Sequence, residues 1–404
     1  MSSSTSSSDS VTNSRGVYLR ILLTILLCMG VALGLVRAFV AANGAGSQSL
    51  LGRVMQAQEA IPKIAAEEND LVMFFGSSMV HAGFSPREFD LELANQGVTA
   101  TALNFGFGGL NPLFQDYLTR RIAEGFEAEN RQLKLVLIEF NPFQTTITRR
   151  ERAVALEESY IALLASPGEL FQILLEDPAR GLRMLEIRYL RDGISAEMIT
   201  TFFWSEPFQR PGPQTKLVEV EGVEERLNEV LEKMGERFEI EYPDYDGSDW
   251  YYPWQGGGTI KSERSAETLA ISEEYYELTQ TKYQKDLDRM QRIDSADIVD
   301  LNFDPVLVDA FIAVVRNMQR IADQVEIVML PKNTDWIKNP PQALARQRAV
   351  VERIKRETGV PFRDFQSIDA VSNDMFGDTT HLNRYHGAIA FSEFLAREYA
   401  EQLR

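Results

Sequence analysis

Short unbroken apolar runs alternate along the chain with segments of helical period. Asp70 precedes Leu71-Val-Met-Phe-Phe75, Thr101 to Phe105 forms a second run, and Leu133-Lys-Leu-Val-Leu-Ile138 a third. Runs this short with little polar alternation predict strands buried on both faces. Between them, Ser85-Pro86 and Asn111-Pro112 each set a capping side chain before a proline. That pair suits the first turn of a helix and predicts helices from Ser85 to about Gln96, stopped by Gly97, and over Leu113 to Ala123. The rhythm breaks at about Arg149 and resumes at Asp304-Pro305, after which Leu307, Phe311, Val314, Met318 and Ile321 trace one helix face. Val325 to Leu330 and Val360 to Phe365 read as a fourth and a fifth strand around a helix over residues 342–357. A last helix, over about 385–403, places Phe391, Phe394, Leu395 and Tyr399 on a core stripe. Strand and helix alternating through short links predict an α/β fold, a three-layer α/β/α sandwich around a central parallel sheet.

Two stretches stand outside that rhythm. Residues 1–16 are serine-rich and polar, a disordered tail, and residues 17–42 are almost wholly apolar. About 20 such residues cross a bilayer as a helix, so 17–42 predict a transmembrane signal-anchor. Arg15 just before it and Arg20 near its start place the N-terminus in the cytoplasm. The rival reading is a cleaved leader using the small residues Ala42 to Ala45, but the apolar run exceeds that of ordinary leaders. Residues 43–68 follow as a juxtamembrane helix or linker, and 69–149 with 301–404 make up the two parts of the α/β domain. Between these parts, residues 150–300 form an acidic, mainly helical insertion with a loop from Tyr242 to Gly258 dense in aromatics and carboxylates. Trp250 and Trp254 in that loop suit either stacking on a sugar ring or a plug that packs the insertion on the domain.

Composition narrows the function. The 404 residues are 44% hydrophobic and 25% charged, which excludes a mostly disordered chain and a multi-span transporter. A net charge of −18 repels phosphate backbones, so no nucleic-acid partner is expected. Cys28 is the single cysteine, so no intrachain disulfide forms. Three histidines, His81, His381 and His386, leave little for a metal site. We expect neither metal nor cofactor.

Reactive groups of a parallel sheet gather beyond the carboxyl ends of its strands. After the first strand come Gly76-Ser77-Ser78, after the second Asn104-Phe-Gly106-Phe-Gly108-Gly109, and after the third Glu139-Phe140-Asn141-Pro142. Asp378-Thr-Thr-His381-Leu-Asn383 stands before the last helix. Acyl transfer uses such an inventory: a serine whose proton an imidazole takes, a carboxylate that orients the ring, and donors for the oxyanion. Plainer roles compete at each place. Ser77-Ser78 suits a helix N-cap, the glycines a tight turn, Asn141-Pro142 a turn start, and Asp378 to His381 a capping turn. His81 is the rival base, and His386 reads as structural.

The order of these blocks resembles that of the SGNH (GDSL-type) hydrolase superfamily, with its flavodoxin-like sandwich. The resemblance implies Ser78 as nucleophile, His381 as base and Asp378 as its orienter. It implies oxyanion donors at Ser78 N–H, Gly109 (Gly106 less so) and Asn141. Where the family has Gly-Asp-Ser this chain has Gly76-Ser77-Ser78, and its Asn-Asp becomes Asn141-Pro142. The serine version, the anchor and the long insertion are similar to membrane-anchored proteins of envelope polysaccharide O-acetylation and teichoic-acid D-alanyl transfer. That likeness implies an extracytoplasmic, periplasmic domain on the inner membrane, acting as an O-acyltransferase or esterase on acyl groups, foremost acetyl, of a polysaccharide. A membrane-bound O-acyltransferase is the implied partner. The contrasting expectation is a non-catalytic assembly or binding protein that keeps the fold, suggested by the altered residues at 77 and 142.

Overall fold

A computed structural model describes residues 9–43, 50–188, 297–377, 379–383 and 386–404, with scattered positions between 225 and 278. Its centre is a parallel sheet of β1 (Asp70–Gly76), β2 (Ala100–Gly106), β3 (Leu133–Glu139), β4 (Ala322–Met329) and β5 (Phe362–Asp364), in the order β2-β1-β3-β4-β5. Around it lie α1 (Asp9–Asn43), α2 (Leu50–Ala65), α3 (Ser78–Gly83), α4 (Pro86–Asn95) and α5 (Pro112–Ala128). Then come α6 (Ile147–Leu164), α7 (Pro167–Glu176), α8 (Pro178–Glu186), α9 (Pro305–Gln319), α10 (Pro341–Thr358) and α11 (Gly387–Tyr399). The five expected strands are present, and all pair in parallel.

The sheet carries a core on each face because successive side chains of a strand point to opposite sides. Leu71, Met73 and Phe75 pack with α2, α5 and α9 through Ile61, Phe114 and Phe311. Val72 and Phe74 pack with α3, α4 and α11 through Val80, Phe89 and Phe391. Two helices show the expected caps with full effect. Asn111 Oδ1 accepts from Leu113 N at 3.0 Å, and Asp304 Oδ1 from Val306 N at 2.8 Å. On the β2 edge, Asp90 of α4 accepts from Ala102 N at 3.0 Å, which satisfies an N–H that has no strand beside it.

The chain leaves and rejoins the α/β domain at one place. Thr146 bridges Phe303, Ile147 N donates to Asn302 O at 2.9 Å, and Asp304 N to Thr145 O at 2.8 Å. The excursion therefore begins a few residues before the expected 150. Its described part, α6 to α8, has a small core of its own around Ile161, Leu170 and Met184. Glu169, fixed by a capping box with Ser166, ties it to the domain through Arg120 and Arg121, the latter at 2.9 Å. The aromatic loop with Trp250 and Trp254 lies outside the described residues.

Helix α1 runs for 35 residues, and its apolar side chains from Val17 to Val31 lie exposed on every side of it. Among the described residues no helix is long and apolar enough to cross a membrane, so the span expected at 17–42 is not shown by the fold.

Candidate active site

The order reversal in the sheet falls between β1 and β3, where β2 continues to one side and β4 to the other. At such a switch point the segments beyond the strands diverge and open a crevice. Ser77, straight after β1, is the N-cap of α3 and accepts from Met79 N at 3.2 Å. The plainer N-cap role of Ser77-Ser78 is therefore met by Ser77, which opens a six-residue helix whose first residue is Ser78. A residue there has an N–H with no acceptor inside its own helix.

Ser78 Oγ lies 2.8 Å from His381 Nε2, across 303 residues of sequence. With the ring neutral and its proton on Nδ1, the hydroxyl donates to Nε2. His381 is held by a narrow turn, in which Gly377 N donates to His381 O at 2.9 Å and Phe376 bridges Leu382. Thr380 Oγ1 stands 3.4 Å from Nδ1. Asp378, expected to orient the ring, lies outside the described residues. The serine is thus brought to His381, while His81, the rival base, sits further along α3 with its backbone against Gly106.

Ser77 is fully engaged. Its Oγ donates to Glu139 Oε1 at 3.0 Å and accepts from Met79 N and, at 3.1 Å, from Asn141 Nδ2. A hydroxyl has one proton and two lone pairs, so nothing of Ser77 is left for chemistry. Asn141 is also engaged: it donates to Ser77 Oγ and to Met79 Sδ at 3.2 Å, and accepts from Phe143 N at 2.9 Å. It starts the turn at Pro142 as the plainer reading expected, and it braces the residues on either side of Ser78. Met79 Sδ is a weak acceptor that an oxyanion could replace.

The glycines divide by role. Gly106 N donates to Asn104 Oδ1 at 3.0 Å and is taken, while a Cβ at Gly106 would meet His81 N at 2.2 Å. Asn104 donates to Phe84 O at 2.7 Å and Val80 O at 3.2 Å, binding the end of α3 onto β2. Gly109 adopts the left-handed conformation, φ 75°, and its carbonyl accepts from Arg149 Nη2 at 3.3 Å. His386 is the N-cap residue of α11.

Glu139, the last residue of β3, carried no role in the sequence reading. Its Oε2 accepts from Ser77 N at 2.6 Å. Burial pushes its carboxyl up to about 7, opposed by the two Ser77 hydrogen bonds and by the charge of His381. A cavity beside it, at the carboxyl ends of β3 and β4, is lined by Met79, Phe143, Leu330, Ile337, Lys332 and Thr380. Burial lowers the Lys332 ammonium from its ordinary range.

Compared with protein-family models, the chain matches none, and no curated protein matches its sequence.

Proposed function

We propose that the chain is an SGNH-like serine enzyme that transfers acyl groups, with Ser78 as nucleophile and His381 as base. The observation that carries this reading is the 2.8 Å approach of Ser78 Oγ to His381 Nε2 at the switch point of a parallel sheet. In the first half-reaction the imidazole takes the Ser78 proton as Oγ bonds to the ester carbonyl carbon. The carbon–oxygen bond to the leaving alkoxide then breaks, and the alkoxide takes the proton back from His381. In the second, an acceptor hydroxyl gives its proton to His381 and attacks the acyl-serine, the bond from the acyl carbon to Ser78 Oγ breaks, and Ser78 Oγ takes that proton from His381. Asp378 is the proposed orienter of the ring. Ser78 N–H and Gly109 are the proposed oxyanion donors, joined by Asn141 when it releases Met79.

The acceptor in this proposal is a sugar hydroxyl of an envelope polysaccharide, and water in its place makes the same site an esterase. The acyl group is acetyl, supplied through a membrane-bound acyltransferase. Membrane anchorage belongs to the same proposal and rests on the apolar sequence of residues 17–42 and the exposure of the side chains from Val17 to Val31 in α1.

Intact mass of the full chain in detergent, after exposure to a fluorophosphonate, tests the site. A single adduct is expected, absent in Ser78→Ala and slowed in His381→Ala by about 10²- to 10⁴-fold, the worth of a positioned general base. Equal labelling of wild type and Ser78→Ala would sink the proposal.

A further inference from the structure

We propose that Glu139 is a positioning residue for Ser78, acting through Ser77. The inference rests on the acyl-transfer reading above and names the group that sets its nucleophile. One carboxylate holds two donors of the same residue: Oε2 takes Ser77 N at 2.6 Å and Oε1 takes Ser77 Oγ at 3.0 Å. That fixes the backbone and the side chain of the residue just before Ser78, and with them the first turn of α3. The grip also crosses the crevice, since Glu139 ends β3 and Ser77 follows β1.

Gly76 supplies an independent observation. A Cβ there would lie 2.5 Å from Glu139 Oε2 and 2.7 Å from Glu139 Cβ, so the carboxylate occupies the room a side chain would need. Glycine at 76 is explained by what Glu139 must reach, as well as by Val80, whose Cγ2 would be 2.4 Å away. A buried carboxylate is expensive unless its oxygens are satisfied. Here no Lys or Arg forms an ion pair with it among the described residues, and hydrogen bonds from Ser77 take that place. Leucine or methionine would fill the space without the cost but leave Ser77 N–H without an acceptor.

The clamp has a chemical consequence. Ser78 Oγ meets His381 only if α3 starts where it does, so loosening Ser77 costs the reacting pair its alignment. Substrate contacts elsewhere are untouched, and the effect falls on turnover.

The test uses the full chain in detergent, with Glu139→Gln, Glu139→Asp and Ser77→Ala compared for hydrolysis of p-nitrophenyl acetate and for fluorophosphonate labelling. Glutamine keeps the size but turns one acceptor into a donor against Ser77. The expected result is a tenfold or greater fall in kcat and labelling for Glu139→Gln, with KM within twofold. A smaller fall is expected in Ser77→Ala, and partial recovery in Glu139→Asp, which restores the charge. Unchanged kcat in folded Glu139→Gln, or in Ser77→Ala should the former not fold, overturns the proposal, as does a rise in KM alone. If wild type forms no adduct, the acyl-transfer reading fails instead. The clamp is then judged by amide exchange at Ser77 and Ser78, where exchange no faster in the Glu139→Gln or Ser77→Ala chain overturns it.

Discussion

Replacing Gly106 by alanine tests how tightly β2 sets the nucleophile. The added Cβ would lie 2.2 Å from His81 N, 2.6 Å from His81 Cα and 2.9 Å from Val80 C. All three are backbone atoms of α3, so no side chain rotates out of the way. Ordinary contact begins near 3.4 Å, and the helix must therefore retreat by about 1 Å. Asn104 resists that retreat through its bonds to Phe84 O and Val80 O, and overpacking of this kind costs about 1–3 kcal/mol. Taken along the Ser78–His381 line, a 1 Å retreat lengthens the 2.8 Å approach to nearly 4 Å, outside hydrogen-bond range. Misplacement by about 1 Å is worth about 10²-fold in rate. Fluorophosphonate labelling and thermal melting of the full chain measure the two effects together. Gly97→Ala is the control: its φ is 74° but nothing lies within 4 Å of the new Cβ. It should lower stability by about 1–2 kcal/mol for the left-handed backbone and leave labelling unchanged. A folded Gly106→Ala chain labelled within twofold of wild type would refute the idea that α3 is seated on β2.

Asp304→Ala removes the acceptor for Val306 N and Leu307 N at the start of α9, together with the ion pair to Arg150 at 3.2 Å. The cap alone is worth about 0.5–2 kcal/mol, and urea unfolding should show a loss in that range with labelling retained; no loss would mean that the cap is idle. Glu139 should make stability depend on pH. Its folded value of about 7 exceeds the ordinary 4.5, so the native state holds the proton more tightly. Its contribution is fully present below 4.5 and is lost as pH rises to about 7. At about 1.4 kcal/mol per pH unit the whole loss is on the order of 3 kcal/mol. The unfolding free energy of Glu139→Gln, measured against wild type, should gain that amount across the window and then level off. A difference that stays flat with pH would count against a buried carboxyl.

The strands and caps were legible because they follow from local physics. Leu71 to Phe75 is apolar without alternation, and only a strand covered on both faces buries all of it. Asn111, Ser85 and Asp304 each stand before a proline that suits a first helical turn. The meeting of Ser78 and His381 was legible only through the order of motifs, since nothing local to either residue demands the other. Helix α3 shows in the sequence only through its cap, because Ser-Met-Val-His-Ala-Gly is too short for a period to show and is held by long-range bonds from Asn104 and Glu139. The resemblance implies Asn141 as an oxyanion donor, and its amide protons go to Ser77 and Met79 here, partners that no spacing reveals. Glu139 left one faint sign, a carboxylate ending a run of seven residues that is otherwise apolar but for Lys134.

That carboxylate also shows why the site sits where the fold is least economical. β1 and β3 are neighbours through the pairs from Val72 with Leu135 to Phe75 with Ile138, yet beyond them the chain turns into α3 on one side and the Pro142 turn on the other. The divergence strips backbone groups of their ladder partners, and Ser77 N–H is one of them. An apolar plug would fill the gap and leave that donor buried and unsatisfied, at about 1–3 kcal/mol. Glu139 and Asn141 satisfy it and its neighbours, and the same bonds that repair the strand ends bring Ser78 under His381. Two demands pull against each other at Glu139: burial favours its neutral form, while the grip on two Ser77 donors needs both oxygens free to accept. Glutamine would remove the cost of the charge but set a donor against Ser77, so the carboxylate is the side chain of this size that satisfies both Ser77 donors.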